Sequence, residues 1–185
     1  MARELKTFQI FRSGTHVAMN GTKINFSEQD LKKTVDAYKQ TVWSAPLVIG
    51  HPIADHAPSH GDVVRMFVDG SALYAEAEVD GELIDLARAG RYTNRSASFY
   101  HPDQANNPVP GTYYLRHVGF LGGQPPAVKG MAPLGFGETN PLLDDISRRF
   151  FCYAEPESFR STNPLVADAE ARQMRDRATS GYTPL

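Results

Sequence analysis

Residues 91–102, RYTNRSASFYHP, put Ser96 and Ser98 on alternate positions of a stretch with strand character, beside Arg91 and Arg95 and ahead of His101. A serine hydroxyl is scarcely ionised at neutral pH. Nucleophilic chemistry therefore needs a base within hydrogen-bond reach and a third group that orients that base. His51 follows the apolar run APLVIG, and His117 lies within TYYLRHVGFLG, so three separate segments carry the parts of a serine hydrolase. If the connection PDQANNPVPG folds symmetrically about Asn106 and Asn107, Ser96 falls opposite His117. Spacing alone leaves open a plainer reading, in which the serines are ordinary strand residues and the histidines are solvated.

A second chemistry competes for the same histidines. His51, His56 and His60, with Asp55 and Asp62, offer imidazole and carboxylate donors to a divalent metal. Pro52 and Pro58 make this segment a loop without the fixed helical face of a His-Glu-x-x-His motif. A metal-dependent hydrolase built there would lose activity to a chelator, whereas a serine enzyme would not respond. The single cysteine, Cys152, allows no disulfide within the chain and no thiolate zinc cluster. A Gly-x-Ser-x-Gly elbow, a P-loop and a Gly-x-Gly-x-x-Gly fingerprint are all missing from the sequence.

The elements that must position these residues follow from local pattern. Ser13-Gly14 and Asn20-Gly21 interrupt the apolar stretches of residues 7–26, which predicts short antiparallel strands. Ser27 caps a helix over EQDLKKTVDAYKQTV, in which Leu31, Val35 and Tyr38 recur at helical spacing. APLVIGHP reads as a buried strand that delivers His51 to its end. GDVVRMFVDGSALYAEAEVD reads as a hairpin about Asp69-Gly70, and GELIDLARAG as a two-turn helix stopped at Gly90. NRSASFYH and TYYLRHVGFLG complete the strands. The Gly- and Pro-rich stretch after Gly123 is expected to be mostly irregular, with apolar residues docking on the barrel, and ADAEARQMRDRA is expected to form one short polar helix.

The 185 residues, 41% hydrophobic, suffice for a core. A formal charge of -2 gives no global attraction to nucleic acid or anionic lipid. The N-terminus lacks the pattern of a signal peptide, and no run approaches the roughly 18 apolar residues of a membrane span. The expectation is a soluble cytoplasmic protein.

Taken in order, the segments FRSGTH (11–16), APLVIGHP (45–52), HGDVVRM (60–66), GRYTNRSASFY (90–100) and YLRHVGFLGGQPPAVKGM (114–131) resemble the protease part of the Mu-like bacteriophage protein I family. These are prohead protease and scaffold proteins, similar in turn to other tailed-phage prohead proteases and to herpesvirus assemblins. The resemblance spans about residues 7–136. It implies an α+β fold, a mainly antiparallel, barrel-like sheet with peripheral helices over 1–136; the composition of the remainder predicts a linker and extended C-terminal arm with one short helix over 137–185, where the family commonly continues into a long charged helical scaffolding region. It implies that Ser96 is the nucleophile, His51 the base and His117 the third member, with Ser98 the rival nucleophile and His60 the rival base. Backbone N–H groups of Gly122, Gly123 and Gln124 would stand in for the assemblins' Gly-Arg-Arg oxyanion segment, assisted by Arg95 or Arg116.

The implied activity is a serine endopeptidase that processes scaffold and itself during capsid maturation, in the host cytoplasm inside assembling proheads. Its partners would be the phage scaffold and major capsid proteins and, in a homo-oligomer, a second copy of itself. No cofactor, nucleic acid or membrane is implied. The alternative from another class is a catalytically silent protein that keeps the protease fold and binds capsid or scaffold.

Overall fold

A computed structural model describes residues 3–17, 21–52, 57–123, 128–132 and 134–136. The chain runs β1 (Arg3–Arg12), β2 (Gly14–Val17), β3 (Lys23–Phe26), α1 (Glu28–Ala37), β4 (Leu47–Ile49), β5 (Gly61–Asp69), β6 (Ala72–Asp80), α2 (Gly81–Arg88), β7 (Asn94–Tyr100) and β8 (Tyr114–Leu121). By contacts it divides into Met1–Ser147 and Arg148–Leu185, and every described residue belongs to the first unit. The expected arm over 137–185, with its polar helix, lies outside the described residues.

The expected hairpin forms: Asp69 pairs with Ala72 across the two-residue loop Gly70-Ser71, and Gly70 takes φ +55°. Leu73, Ala75, Ala77 and Val79 point inward and are fully buried. On the other face the Arg65 guanidinium donates two hydrogen bonds to Glu76, at 3.1 Å each. β1 adds antiparallel to β6, which gives a three-stranded sheet ordered β1-β6-β5.

Ser27 caps α1 as expected, its hydroxyl accepting from the Asp30 N–H at 3.1 Å while the Asp30 carboxylate accepts from the Ser27 N–H at 3.0 Å. The helix ends at Ala37, short of the expected Val42, because Tyr38 turns extended and sends its ring into the core. The Tyr38 hydroxyl donates to the Val63 carbonyl at 2.7 Å and accepts from the Ala45 N–H at 3.1 Å; burial pushes its pKa up to about 12. The Tyr114 hydroxyl donates to the Lys39 carbonyl at 2.8 Å, and Trp43 Nε1 donates to the Arg116 carbonyl at 3.0 Å. These bonds tie the 38–46 connection to β5 and β8, and so aim β4.

The barrel expectation needs correction. The described strands form three sheets, β1-β6-β5, β2-β3 and β4-β8-β7, with no closed barrel, and β4 runs parallel to β8. The link from β4 to β5 shrinks to one antiparallel bridge, Pro46 to Asp62, since proline has no N–H to give and β4 is only three residues long. Across the core Phe8 meets Phe120 and Phe136 edge-on, with centroids 5.7 and 5.5 Å apart. Val128 and Phe136 are buried, so the irregular segment after β8 does dock its apolar side chains.

Candidate active site

The site is assembled on β8, the central strand of the β4-β8-β7 sheet. Leu47 and Val48 are buried, and the Gly50 N–H donates to the Phe120 carbonyl at 2.9 Å, which continues the parallel pairing one residue beyond β4. Gly50 then takes φ +76°, a conformation that side chains rarely tolerate, and the turn lays His51 back over the sheet. An ideal Cβ built on Gly119 would lie 3.1 and 3.2 Å from Cε1 and Nδ1 of His51 and would collide with the Gly50 carbonyl. Only glycine fits under the ring. Two residues earlier on the same face of β8, His117 is buried, and its Nε2 lies 3.0 Å from His51 Nδ1.

β7 pairs with the other edge of β8. Ser96 is opposite Gly119 and Ser98 opposite His117. The expected Ser96–His117 register is therefore corrected by two residues. Tyr100 pairs with Tyr114, which centres the connection on Asn107 rather than between Asn106 and Asn107, and a bulge between Ser98 and Phe99 adds the second step. Asn107 anchors that connection, its side-chain amide donating to the carbonyls of His101 at 3.0 Å and Thr112 at 2.7 Å.

The corrected register sets Ser96 across from Gly119, the residue against which the His51 ring lies. Directly opposed residues hold their Cβ atoms about 4.5–5.5 Å apart, and the space where a Gly119 side chain would stand is filled by the Nδ1–Cε1 edge of His51. Nε2 follows Cε1 round the ring. Nδ1 is engaged by His117, and Nε2 is the other nitrogen of the ring. Ser96, His51 and His117, and Ser98 with them, line one cavity of about 390 Å³. Among the described residues Ser96 and His51 are not hydrogen-bonded to each other, although both line the same cavity. Burial holds the His51 pKa below the ordinary histidine value of 6.5, so its ring is a neutral proton acceptor at neutral pH.

The other residues singled out in the sequence separate clearly. His60 does not line the cavity; its Nδ1 stands 3.9 Å from the Glu82 carboxylate at the start of α2. Asp62 accepts from Arg3 at 3.0 Å, while Asp55, His56 and Gln124 lie outside the described residues. Among the described residues no group of three or more His, Cys, Asp or Glu could hold a metal ion. Gly122 and Gly123 follow the end of β8 beside Asn94, which donates to the Gly122 carbonyl at 3.3 Å, and neither lines the cavity. Arg95 faces away from Ser96, as strand alternation requires. Its guanidinium is buried on the carbonyls of Gln9, Thr93 and Ala132, and burial brings its pKa down to about 10. Arg95 thus clamps β7 onto β1 and cannot assist at the serine, whereas Arg116 does line the cavity. Gly50 and Gly119 carry the site as much as the histidines do. A glycine inside a strand pattern signals close approach by another group, and Gly119 in RHVGFLGG carried that signal.

No family model matches the chain, and no curated protein matches it. Among solved structures, the Kaposi's sarcoma-associated herpesvirus protease bound to an allosteric inhibitor is 11% identical, with a TM-score of 0.47 over 77% of this chain and 81% of the other. The same protease with a dimer disruptor is 12% identical, with a TM-score of 0.46 over the same shares. A further inhibitor complex is 14% identical, with a TM-score of 0.44 over 97% and 93%. At TM-scores below 0.5 these likenesses carry no weight for activity.

Proposed function

We propose that the chain is a serine endopeptidase in which Ser96 is the nucleophile, His51 the general base and His117 the residue that orients it. The observation carrying this reading is the 3.0 Å contact between His51 Nδ1 and His117 Nε2, made over Gly119 and opposite Ser96. Two buried or half-buried imidazoles held together, with one nitrogen left over beside a serine, are the parts that acyl transfer needs.

In this scheme the His51 Nδ1–H donates to His117 Nε2, which fixes the tautomer that leaves Nε2 as acceptor. Ser96 Oγ bonds to the scissile carbonyl carbon as its proton passes to His51 Nε2. The tetrahedral intermediate collapses, the C–N bond breaks, and His51 returns the proton to the leaving amine. Water, deprotonated by the same ring, then releases the acyl group and regenerates Ser96. A neutral imidazole in third place orients the base without a full negative charge, so it stabilises the imidazolium less than a carboxylate would, and turnover is slow.

The substrates proposed are a phage scaffold protein and the chain itself, cleaved inside assembling proheads, with the major capsid protein as further partner. The support for that setting is the ordered likeness of five segments to the Mu-like protein I proteases. Co-expression with the cognate scaffold tests it. Processing is expected from the wild type and from Ser98→Ala and is expected to be lost in Ser96→Ala. Undiminished processing by Ser96→Ala removes this serine from the mechanism, and scaffold binding without cleavage by the wild type favours a silent assembly protein.

A further inference from the structure

We infer that the cavity beside Ser96 is a substrate side-chain subsite that selects a large apolar residue next to the scissile bond. The inference rests on the peptidase reading and deepens it. At one end of the cavity stand Ser96, His51 and His117; the rest of its wall is mainly carbon. Phe11, Phe26 and Phe99 form an aromatic triangle with centroids 4.8, 5.1 and 5.4 Å apart, and Tyr113 packs against Phe26 at 4.1 Å. Val17 and Ile24 of the β2-β3 hairpin also line the cavity. Phe11 and Phe26 are nearly fully buried, so the aromatic wall is preformed.

A void of about 390 Å³ is far beyond the packing defects of a folded core and lies in the range of ligand pockets. Three of its polar wall groups have partners of their own. His16 Nε2 is 2.8 Å from the Arg12 carbonyl, and His101 packs edge-on against Tyr113. The Arg116 guanidinium sits over the Tyr100 ring at 5.6 Å. Among the described lining residues there is no carboxylate, so a lysine or arginine side chain entering the pocket would find no counter-charge. A leucine, methionine or phenylalanine would displace water from a wall that is mainly carbon. Discrimination by such a pocket between a large apolar side chain and alanine is expected to be about 10- to 200-fold in kcat/KM.

The test exposes the full chain to a mixed peptide library and sequences the products, alongside labelling of Ser96 by a small alkyl fluorophosphonate. Cleavage next to Leu, Ile, Met, Phe or Tyr at one fixed position is expected. Ile24→Trp, which fills the cavity from the hairpin side, should lower kcat/KM for a phenylalanine peptide about tenfold or more relative to an alanine peptide. Val17→Trp, on the exposed rim, is the second variant should the first fail to fold. Labelled Ser96 with an acidic, basic or absent side-chain preference overturns the subsite alone. No labelling and no cleavage overturns the peptidase reading and the subsite with it.

Discussion

The Arg65–Glu76 pair of the β5-β6 hairpin joins residues 11 positions apart, whereas the imidazole pair of the β4-β8-β7 sheet joins residues 66 positions apart. The hairpin is made by a two-residue turn and inward alternation, both local. The second sheet is made by a capped helix that ends early, tyrosine and tryptophan bonds that aim a three-residue strand, and a bare glycine that leaves room for a ring. The first sheet is stabilised by many equivalent small terms, while the second depends on a few placements that have no substitutes. Damage to the two should therefore read out differently: as stability in the hairpin, as rate in the site.

The largest effect is expected from Ser96→Ala, which should cut kcat/KM by about 10⁴-fold or more while leaving the melting temperature near that of the wild type. A Ser98→Ala loss of the same size would transfer the role to Ser98. Next comes Gly119→Ala, whose methyl group must push His51 and the Gly50 carbonyl aside. About 10²-fold in kcat and about 1–3 kcal/mol of stability should go together, as measured by kinetics and urea unfolding.

His117→Ala should cost less, about 10- to 100-fold, because the ring it orients remains beside the serine. The pH profile sharpens this point. Protonated His51 cannot accept the Ser96 proton, so activity falls as pH drops through its pKa. Burial holds that pKa low, which puts the acidic limb of kcat/KM below 6.5 in the wild type. An acidic limb above 6.5 would contradict a desolvated base. The smallest effect on rate belongs to the hairpin: Arg65→Met should cost about 1 kcal/mol by leaving the buried Glu76 carboxylate short of its fork, with kcat/KM within twofold of wild type. A large kinetic effect there would erase the contrast between the sheets.

What could be read in the sequence follows the same division. The hairpin turn at Gly70, the Ser27 cap, the strand ending near His51 and the strands around Ser96 and His117 all have short-range causes, and each forms. The parallel β4–β8 pairing has no local signature, since nothing near residues 47–49 encodes a partner some 70 positions away. The register of β7 on β8 depended on a bulge that no turn residue announces. Ser96, His51 and His117 line one cavity, and the room for the His51 ring there comes from Gly119, a glycine inside a strand whose local pattern does not say which group approaches it. His60, adjacent in sequence to the same loop, sits instead beside Glu82 because it immediately precedes β5, where its N–H donates to the Leu47 carbonyl and its carbonyl accepts from the Asp80 N–H.

The most direct test is to label the folded chain with an alkyl fluorophosphonate at neutral pH, find the modified residue by peptide mass spectrometry, and repeat the labelling on His51→Ala. A single adduct on Ser96, formed at least about 10²-fold more slowly without the His51 ring, is the predicted result. An adduct on Ser98, or a Ser96 adduct that forms equally fast without His51, would contradict the account.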